Sequence, residues 1–393
     1  MKIALACPAS LPATQFGGIM FLGLDIAKEL SKIGHEVTIF TTDLDFANNP
    51  KTFNKKLLRI EKYQNFQINR SHVWLSIQLF FVNPGIYFQL NKDNFDIIHT
   101  IGIRSFQALM AAFIARKKKI PLVISDQGGL TTHPDQKSKL TKKILITFQK
   151  PFIKYIINSA TKISVPNDYE KKIFLEFCDE SKIVVIPNGI NLDITKSPNF
   201  DFKKKYSIKS DFILFLGRFS KIKGLDTLIE SINLLKNTIE SKNIKLVIMG
   251  VEFGFELEMS NMIKKLNLKN IIKVIKNPPR EDVIQAYREC KFLVHPSRWE
   301  LSPLTPLEVF AFKKTVISTT AHGIPFTIHH NKDCLLVEPD NPNLLSQSIL
   351  NLINDEKKCV ELGNSGYKLV VETCNSEQMA KNTLNMYEQL IKE

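Results

Sequence analysis

Residues 296–312 read PSRWELSPLTPLEVFAF and follow directly on the apolar run CKFLVH, Cys290 to His295. The apolar run predicts a buried strand, and Leu304 onward has the spacing of a helix. The polar, proline-containing segment between them is then a loop at the carboxyl edge of a sheet, where open α/β folds bind ligands. Glu300 falls in that loop and Glu308 in the first turns of the helix. An ionised carboxylate accepts charge-assisted hydrogen bonds, which suits the gripping of sugar hydroxyls. The plainer interpretation makes Glu308 a partner of the helix dipole and Glu300 a solvated loop charge. The remainder of the chain decides between them.

Strand, loop and helix alternate along the whole sequence. KIALAC (Lys2 to Cys7) predicts a strand, followed by a loop with Gly17-Gly18 and a helix that stops at Gly34. HEVTIFTT, FDIIHT ending near His99, and PLVISDQGGL running through Gln127 continue the pattern. After Asn191–Ser210, polar enough to be an inter-domain linker, it starts again with FILFLGRF, LDTLIESINLLKN, IKLVIMG, IIKVIK, the opening stretch and TVIST. Such alternation predicts an α/β protein with two Rossmann-like, doubly wound domains facing a central cleft.

Composition narrows the function class. The 393 residues are 44% hydrophobic and 23% charged, with a net charge of +14. Residues 1–200 hold 26 Lys and Arg against 16 Asp and Glu, and the rest hold 27 against 23. The basic excess points to phosphate or an anionic membrane surface. No zinc finger or RNP-type aromatic motif is present, so no nucleic acid partner is expected. Six scattered cysteines fit free thiols in a reducing compartment, and no metal site is expected. The N-terminus has too short an apolar core for a signal peptide. Trp74 to Leu90, the most apolar stretch, is interrupted by Asn83-Pro84-Gly85 and is too short to span a bilayer. These features place the chain in the cytoplasm, with a peripheral position on the membrane face open. Lys137 to Lys162 carries seven lysines interleaved with apolar residues, which suits either a core helix with a lysine face or a membrane-surface helix. Asp43-Leu44-Asp45 has the form of a D-x-D metal motif, but a solvated turn accounts for it.

With these motifs in order, the chain resembles the retaining glycosyltransferases of family 4, the group 1 glycosyl transferases with a GT-B fold. The resemblance is carried by Gly17-Gly18, GHEVTIFT, the D-I-I-H strand with Asp96 and His99, IPNGIN, GRFSKIKGLDTLIE, Glu300 with Glu308, and Gly323 before LLVEPDNP. It implies that Arg218 and Lys223 grip the diphosphate of a nucleotide sugar, a task suited to a planar guanidinium and a compact ammonium. It implies Glu308 at the ribose hydroxyls, Glu300 at the donor sugar, and the amides of Leu304 and Thr305 at the phosphates. Gly17 and Gly18 would allow close approach to the donor, and Gln127 would hydrogen-bond its sugar. Glu300, Arg218 and Lys223, with His99 from the first domain, are the expected catalytic residues.

The implied activity is metal-independent transfer of a hexose-type sugar, with retention, from a UDP-, GDP- or ADP-sugar to a glycan, lipid or small-molecule hydroxyl. No cofactor is implied. The expected domains are 1–198 on the acceptor side, 199–372 for the nucleotide sugar, and a C-terminal helix in 373–393 packing back on the first. Three positions depart from the family pattern. Gln127 stands where many relatives have histidine, Leu301-Ser302-Pro303 replaces Gly-Phe-Gly, and Phe326 replaces a glutamate. The alternatives are a GT-B epimerase of nucleotide sugars and a catalytically silent nucleotide-sugar-binding homologue. An NAD enzyme is excluded by the missing G-x-G-x-x-G.

Overall fold

The computed structural model describes residues 1–45, 52–77, 80–128, 130 and 140–392. The chain forms two compact units, the first from Met1–Gly189 with Ser376–Glu393 and the second from Ile190–Asn375.

The first unit contains β1 (Lys2–Ala6), β2 (Glu36–Thr42), β3 (Ile60–Tyr63), β4 (Phe66–Ser71), β5 (Leu75–Ile77), β6 (Phe80–Val82), β7 (Ile97–Ile101), β8 (Leu122–Ser125), β9 (Lys162–Val165) and β10 (Ile183–Val185). Eight of them order as β10-β9-β8-β7-β1-β2-β4-β3, while β5 and β6 pair as a separate antiparallel hairpin. Only the β3–β4 pair of the large sheet is antiparallel among the described strands. The alternation of β1 shows why the sheet is covered on both faces. Ile3 and Leu5 join a cluster with Leu22, Ile26 and Leu30, whereas Ala4 and Ala6 join one with Ala108, Ala112 and Ile156.

The second unit contains β11 (Asp211–Leu216), β12 (Ile244–Gly250), β13 (Ile272–Lys276), β14 (Leu293–His295), β15 (Val316–Thr319) and β16 (Cys334–Val337). Their order, β13-β12-β11-β14-β15-β16, is the doubly wound arrangement in which the strand sequence runs outward both ways from the first strand. Ile213 and Phe215 of β11 face one core and Phe212 and Leu214 the other. Full burial of each such side chain contributes about 1.5–3 kcal/mol.

Two expectations change here. Asn191–Ser210 is folded within the second unit and is not a linker: Leu192–Lys196 forms a 3-10 turn and Phe202–Lys205 a helical turn. Phe202 is fully buried beside Phe212 and Tyr206, and its amide donates to Glu289 (2.9 Å). The unit boundaries accordingly fall after Gly189 and Asn375. Asp43, expected in a solvated turn, is buried; its carboxylate meets His72 Nδ1 (2.5 Å) and accepts the Val73 amide (3.1 Å).

The last helix, Ser376–Lys392, belongs to the first unit, where Met379, Met386 and Tyr387 pack with Ile3 and Leu30. In the lysine-rich region, Lys137, Lys139 and the side chains of Lys142 and Lys143 lie outside the described residues. The described end of helix Leu140–Ser159 buries Ile153, Ile156 and Ile157 and exposes Lys150 and Lys154, as a core helix does. Lys162 lies in β9 and donates to the Ser181 carbonyl (2.7 Å). Among the described residues no helix is long and apolar enough to cross a membrane.

Candidate active site

The second sheet changes direction between β11 and β14, and the carboxyl side of such a switch point is where open α/β sheets bind ligands. Gly217–Gly224 leaves β11 and Pro296–Pro303 leaves β14. Backbone and side chain stitch the two loops together. The Arg298 amide donates to the Ile222 carbonyl (2.7 Å), as does Ser297 Oγ (3.2 Å). The Arg298 guanidinium grips both Asp226 oxygens (2.8 and 3.0 Å) and also reaches Asp340. Gly224 makes the approach possible: its φ is +67°, and a Cβ there would stand 2.0 Å from the Pro296 carbonyl oxygen.

Within this frame the Lys223 ammonium forms an ion pair with Glu300 Oε1, and His295 Nε2 stands 3.3 Å from the same oxygen. His295 closes strand β14, is buried, and sets its Nδ1 3.2 Å from Ser318 Oγ on β15. Burial pushes the Glu300 carboxyl upward, but Lys223 and His295 outweigh it and hold it well below the usual carboxylate range. Glu300 is therefore ionised at neutral pH. Its partners among the described residues reach Oε1, which leaves acceptor capacity on Oε2. Lys223 retains donors beyond the one given to Glu300. Gly323 supports the loop from below: its amide donates to the Glu300 carbonyl (3.0 Å), and a Cβ would stand 1.9 Å from the Leu301 carbonyl oxygen.

Arg218 extends from the end of β11, exposed, with its guanidinium 5.0 Å from the centre of the Phe253 ring. Leu304 and Thr305 open the helix Leu304–Phe310 after Pro303, so their amides are among the donors that lack a partner within the helix. Glu308 sits on that helix in a second charge cluster. Arg280 binds both of its oxygens (2.5 and 3.1 Å), and Tyr287 Oη donates to Oε2 (2.7 Å). Oε1 carries one of these donors and Oε2 two, so Oε1 can accept another. Burial, then the Glu308 carboxylate, raises the Tyr287 hydroxyl well above its ordinary range, so it stays a donor.

Sequence reasoning thus placed Arg218, Lys223, Glu300, Leu304, Thr305 and Glu308 on one sheet edge, and the structure brings Lys223 and Glu300 into direct contact. It passed over His295, Arg280 and Tyr287. A histidine closing a strand just before the ligand-side loop was the available signal for the first. Arg280 and Tyr287 reach Glu308 only through tertiary packing.

In the first unit Gly17, with φ +95°, caps the helix Gly18–Lys32 on the carboxyl side of β1, and nothing lies within 4 Å of where its Cβ would be. Gln127 follows β8 with φ +54°, and its amide forms a reciprocal pair with Asn188 (2.9 and 2.8 Å). The neighbouring Gly128 amide donates to buried Glu170 (3.1 Å). His99 requires correction as a catalytic residue. It is 1% exposed, its Nδ1 lies 2.5 Å from Tyr387 Oη and its Nε2 2.8 Å from Ser125 Oγ. Burial lowers its pKa to about 3. A sealed, neutral imidazole with both nitrogens engaged is a structural pin between β7, β8 and the last helix.

Known proteins resemble this chain in sequence and in fold. A family model described as Glycosyltransferase Family 4 matches residues 16–194, and one described as Glycosyl transferases group 1 matches residues 197–369. An uncharacterized glycosyltransferase of Methanocaldococcus jannaschii is 29% identical over 301 residues, covering 77% of each chain. The N-acetyl-alpha-D-glucosaminyl L-malate synthase of Bacillus anthracis is 21% identical, covering 100% of this chain and 98% of that one. Among solved structures, an Anabaena protein in complex with UDP-glucose superposes with a TM-score of 0.73 at 18% identity, covering 98% of this chain and 100% of its own.

Proposed function

The chain belongs to the family 4, group 1 glycosyltransferases of GT-B fold, and from that premise we propose that it transfers a hexose-type sugar from a UDP-, GDP- or ADP-sugar to an acceptor hydroxyl, with retention and without a metal. The observation that carries this reading is the Lys223–Glu300–His295 cluster at the point where the second sheet reverses direction. The Anabaena neighbour, solved with UDP-glucose, supports the donor class.

In this reading Arg218 and Lys223 hold the diphosphate, and the amides of Leu304 and Thr305 add donors. Glu308 takes the ribose through Oε1, kept in place by Arg280 and Tyr287. Glu300 takes a sugar hydroxyl through Oε2. As the glycosidic bond breaks, negative charge grows on the diphosphate, and a cation already fixed there stabilises the transition state more than the ground state. The acceptor attacks the face the phosphate leaves, and a phosphate oxygen takes its proton. The first unit, with Gly17, Gly18 and Gln127, serves the acceptor and sugar side. The acceptor is a glycan, lipid or small molecule. Six free cysteines, four of them buried, favour a reducing, cytoplasmic compartment.

A thermal-shift panel of nucleoside mono- and diphosphates and nucleotide sugars tests the donor class. A specific ligand raises the midpoint by mass action. A nucleotide sugar that is stabilising and is consumed only when acceptor is added supports transfer. Isomerised sugar formed without acceptor, or no response to any nucleotide, contradicts it.

A further inference from the structure

The first unit carries an apolar, cationic corner that the transfer reaction does not use. The stretch Trp74–Val82, WLSIQLFFV, has no charged residue, and its described part forms the β5–β6 hairpin. Trp74 is 76% exposed, Leu75 53% and Ile77 43%. Leu58 and Ile60, 66% and 65% exposed, stand at the neighbouring edge of the sheet. There the Arg70 amide donates to the Arg59 carbonyl (2.7 Å) and its guanidinium to the Leu58 carbonyl (3.0 Å).

The two parts are fixed to each other. Phe53 packs edge-on against Phe81 of the hairpin at 5.4 Å. Asp43 accepts the Val73 amide just before the hairpin, while its carbonyl accepts the Asn54 amide (2.8 Å). The turn that follows Asn54 therefore carries Lys55 and Lys56 to the base of the hairpin.

Charge on this corner is predominantly positive; the flanking Asp43 is held by His72 and Asp45 accepts from Asn54 (2.9 Å). Residues 52–82 contain Lys55, Lys56, Arg59, Lys62 and Arg70 against a single acid, Glu61. Glu61 is taken by Arg70 (2.7 Å). The other four cations are exposed, and among the described residues none is held in an ion pair. An exposed tryptophan with neighbouring aliphatic side chains, ringed by uncompensated cations, matches the interfacial layer of an anionic bilayer, where indole prefers the headgroup level and each cation is drawn to the surface. A second copy of this chain would bring the same cations against themselves, which like-charge repulsion opposes.

We propose that the β5–β6 hairpin and the Lys55–Lys62 edge dock this protein on an anionic lipid surface. Phe81 also packs near Phe16 (6.3 Å), the residue before Gly17. Docking thus brings the bilayer beside the loop assigned to the acceptor side. That link rests on the proposed function, but the docking does not.

The chain holds two tryptophans, so Trp299→Phe leaves Trp74 as the sole reporter. Full-length protein of this background is mixed with vesicles of phosphatidylcholine plus phosphatidylglycerol, and with phosphatidylcholine alone, at low and high salt. The expected result is cosedimentation that needs the anionic lipid, weakens with salt, and blue-shifts Trp74 emission. Lys55→Gln with Lys56→Gln and Arg59→Gln lowers partitioning roughly a hundredfold, at about 1 kcal/mol per cation. Leu75→Ser with Ile77→Ser lowers it without changing the salt slope, and unfolding midpoints confirm that both variants fold. Three results overturn the proposal: no vesicle binding, vesicle binding with no change at Trp74, or a lipid-independent blue shift that accompanies dimer formation. Nucleotide thermal shifts on the same variants, expected to match those of the Trp299→Phe background, keep this outcome separate from that of the transfer reading.

Discussion

Lys223 and Glu300, 77 positions apart in sequence, meet as an ion pair where the second sheet reverses its strand order. The loops after β11 and β14 are sealed together so closely that both side chains are mostly withdrawn from water, at 15% and 17% exposure. Glu300 stays charged only because Lys223 and His295 oppose its burial.

Removing the lysine should act twice. Lys223→Ala loses a charge-assisted contact to the leaving diphosphate, worth roughly 1.5–3 kcal/mol, and slows turnover about ten- to a hundredfold. It also strands Glu300 and lowers the unfolding midpoint. Adding Glu300→Gln should recover the midpoint but not the turnover; steady-state kinetics and thermal unfolding on the single and double variants check this.

Glu308 should govern recognition of the ribose. With Arg280 and Tyr287 fixing the carboxylate, Oε1 is the position left for a hydroxyl. The protein should bind a ribonucleoside diphosphate roughly ten- to a hundredfold more tightly than its 2′,3′-dideoxy form. Glu308→Gln should narrow that gap, and so should Arg280→Ala, which releases the carboxylate. Calorimetric titration of the nucleotide pair measures it.

His99 should make the first unit acid-sensitive. Its folded pKa is lowered to about 3 by burial. In the unfolded chain it takes up a proton near pH 6.5, so the unfolded state binds more protons below that pH and stability falls as pH drops. Its contribution to the slope is about 1.2 kcal/mol per pH unit between roughly pH 6 and 5, and it is opposed in that window by buried Glu170, whose carboxyl is raised to about 8 and keeps a proton that the unfolded chain releases. His99→Gln, which can keep one hydrogen bond, should be less stable at pH 7 but lose less stability than the parent as the pH falls across that window. Denaturant titrations at stepped pH give the comparison; an unchanged slope would remove the buried neutral imidazole from the account.

Gly224 should not tolerate a side chain. At φ +67° and 2.0 Å from the Pro296 oxygen, an added Cβ must push the two loops apart. Gly224→Ala should abolish nucleotide binding and destabilise the second unit by more than about 2 kcal/mol, visible in thermal unfolding with and without nucleotide.

The second sheet was legible in the sequence because strands buried on both faces appear as unbroken apolar runs, as in FILFL and LVIM. IEKY and FQINRS were passed over as β3 and β4 because β3 is an exposed edge strand, while β4 buries the polar residues Asn69, Arg70 and Ser71 beside it. The β5–β6 hairpin was seen only as an apolar stretch. Phe202 made a helical turn of a segment that composition alone marked as linker. At the site, charged residues in short, spaced motifs could be named directly. His295, Arg280 and Tyr287 act through distances that only folding sets. His99 shows the converse: a strand-end histidine looks available in sequence, and Tyr387, from the other end of the chain, seals it.

The most direct test is calorimetric titration of a matched nucleoside monophosphate and diphosphate into the parent protein, Arg218→Ala and Lys223→Ala. With the diphosphate held by these two cations, the parent should prefer the diphosphate, and each variant should lose at least about tenfold in its affinity while monophosphate affinity stays nearly level. Equal diphosphate affinity in the parent and both variants would contradict the assignment of the site.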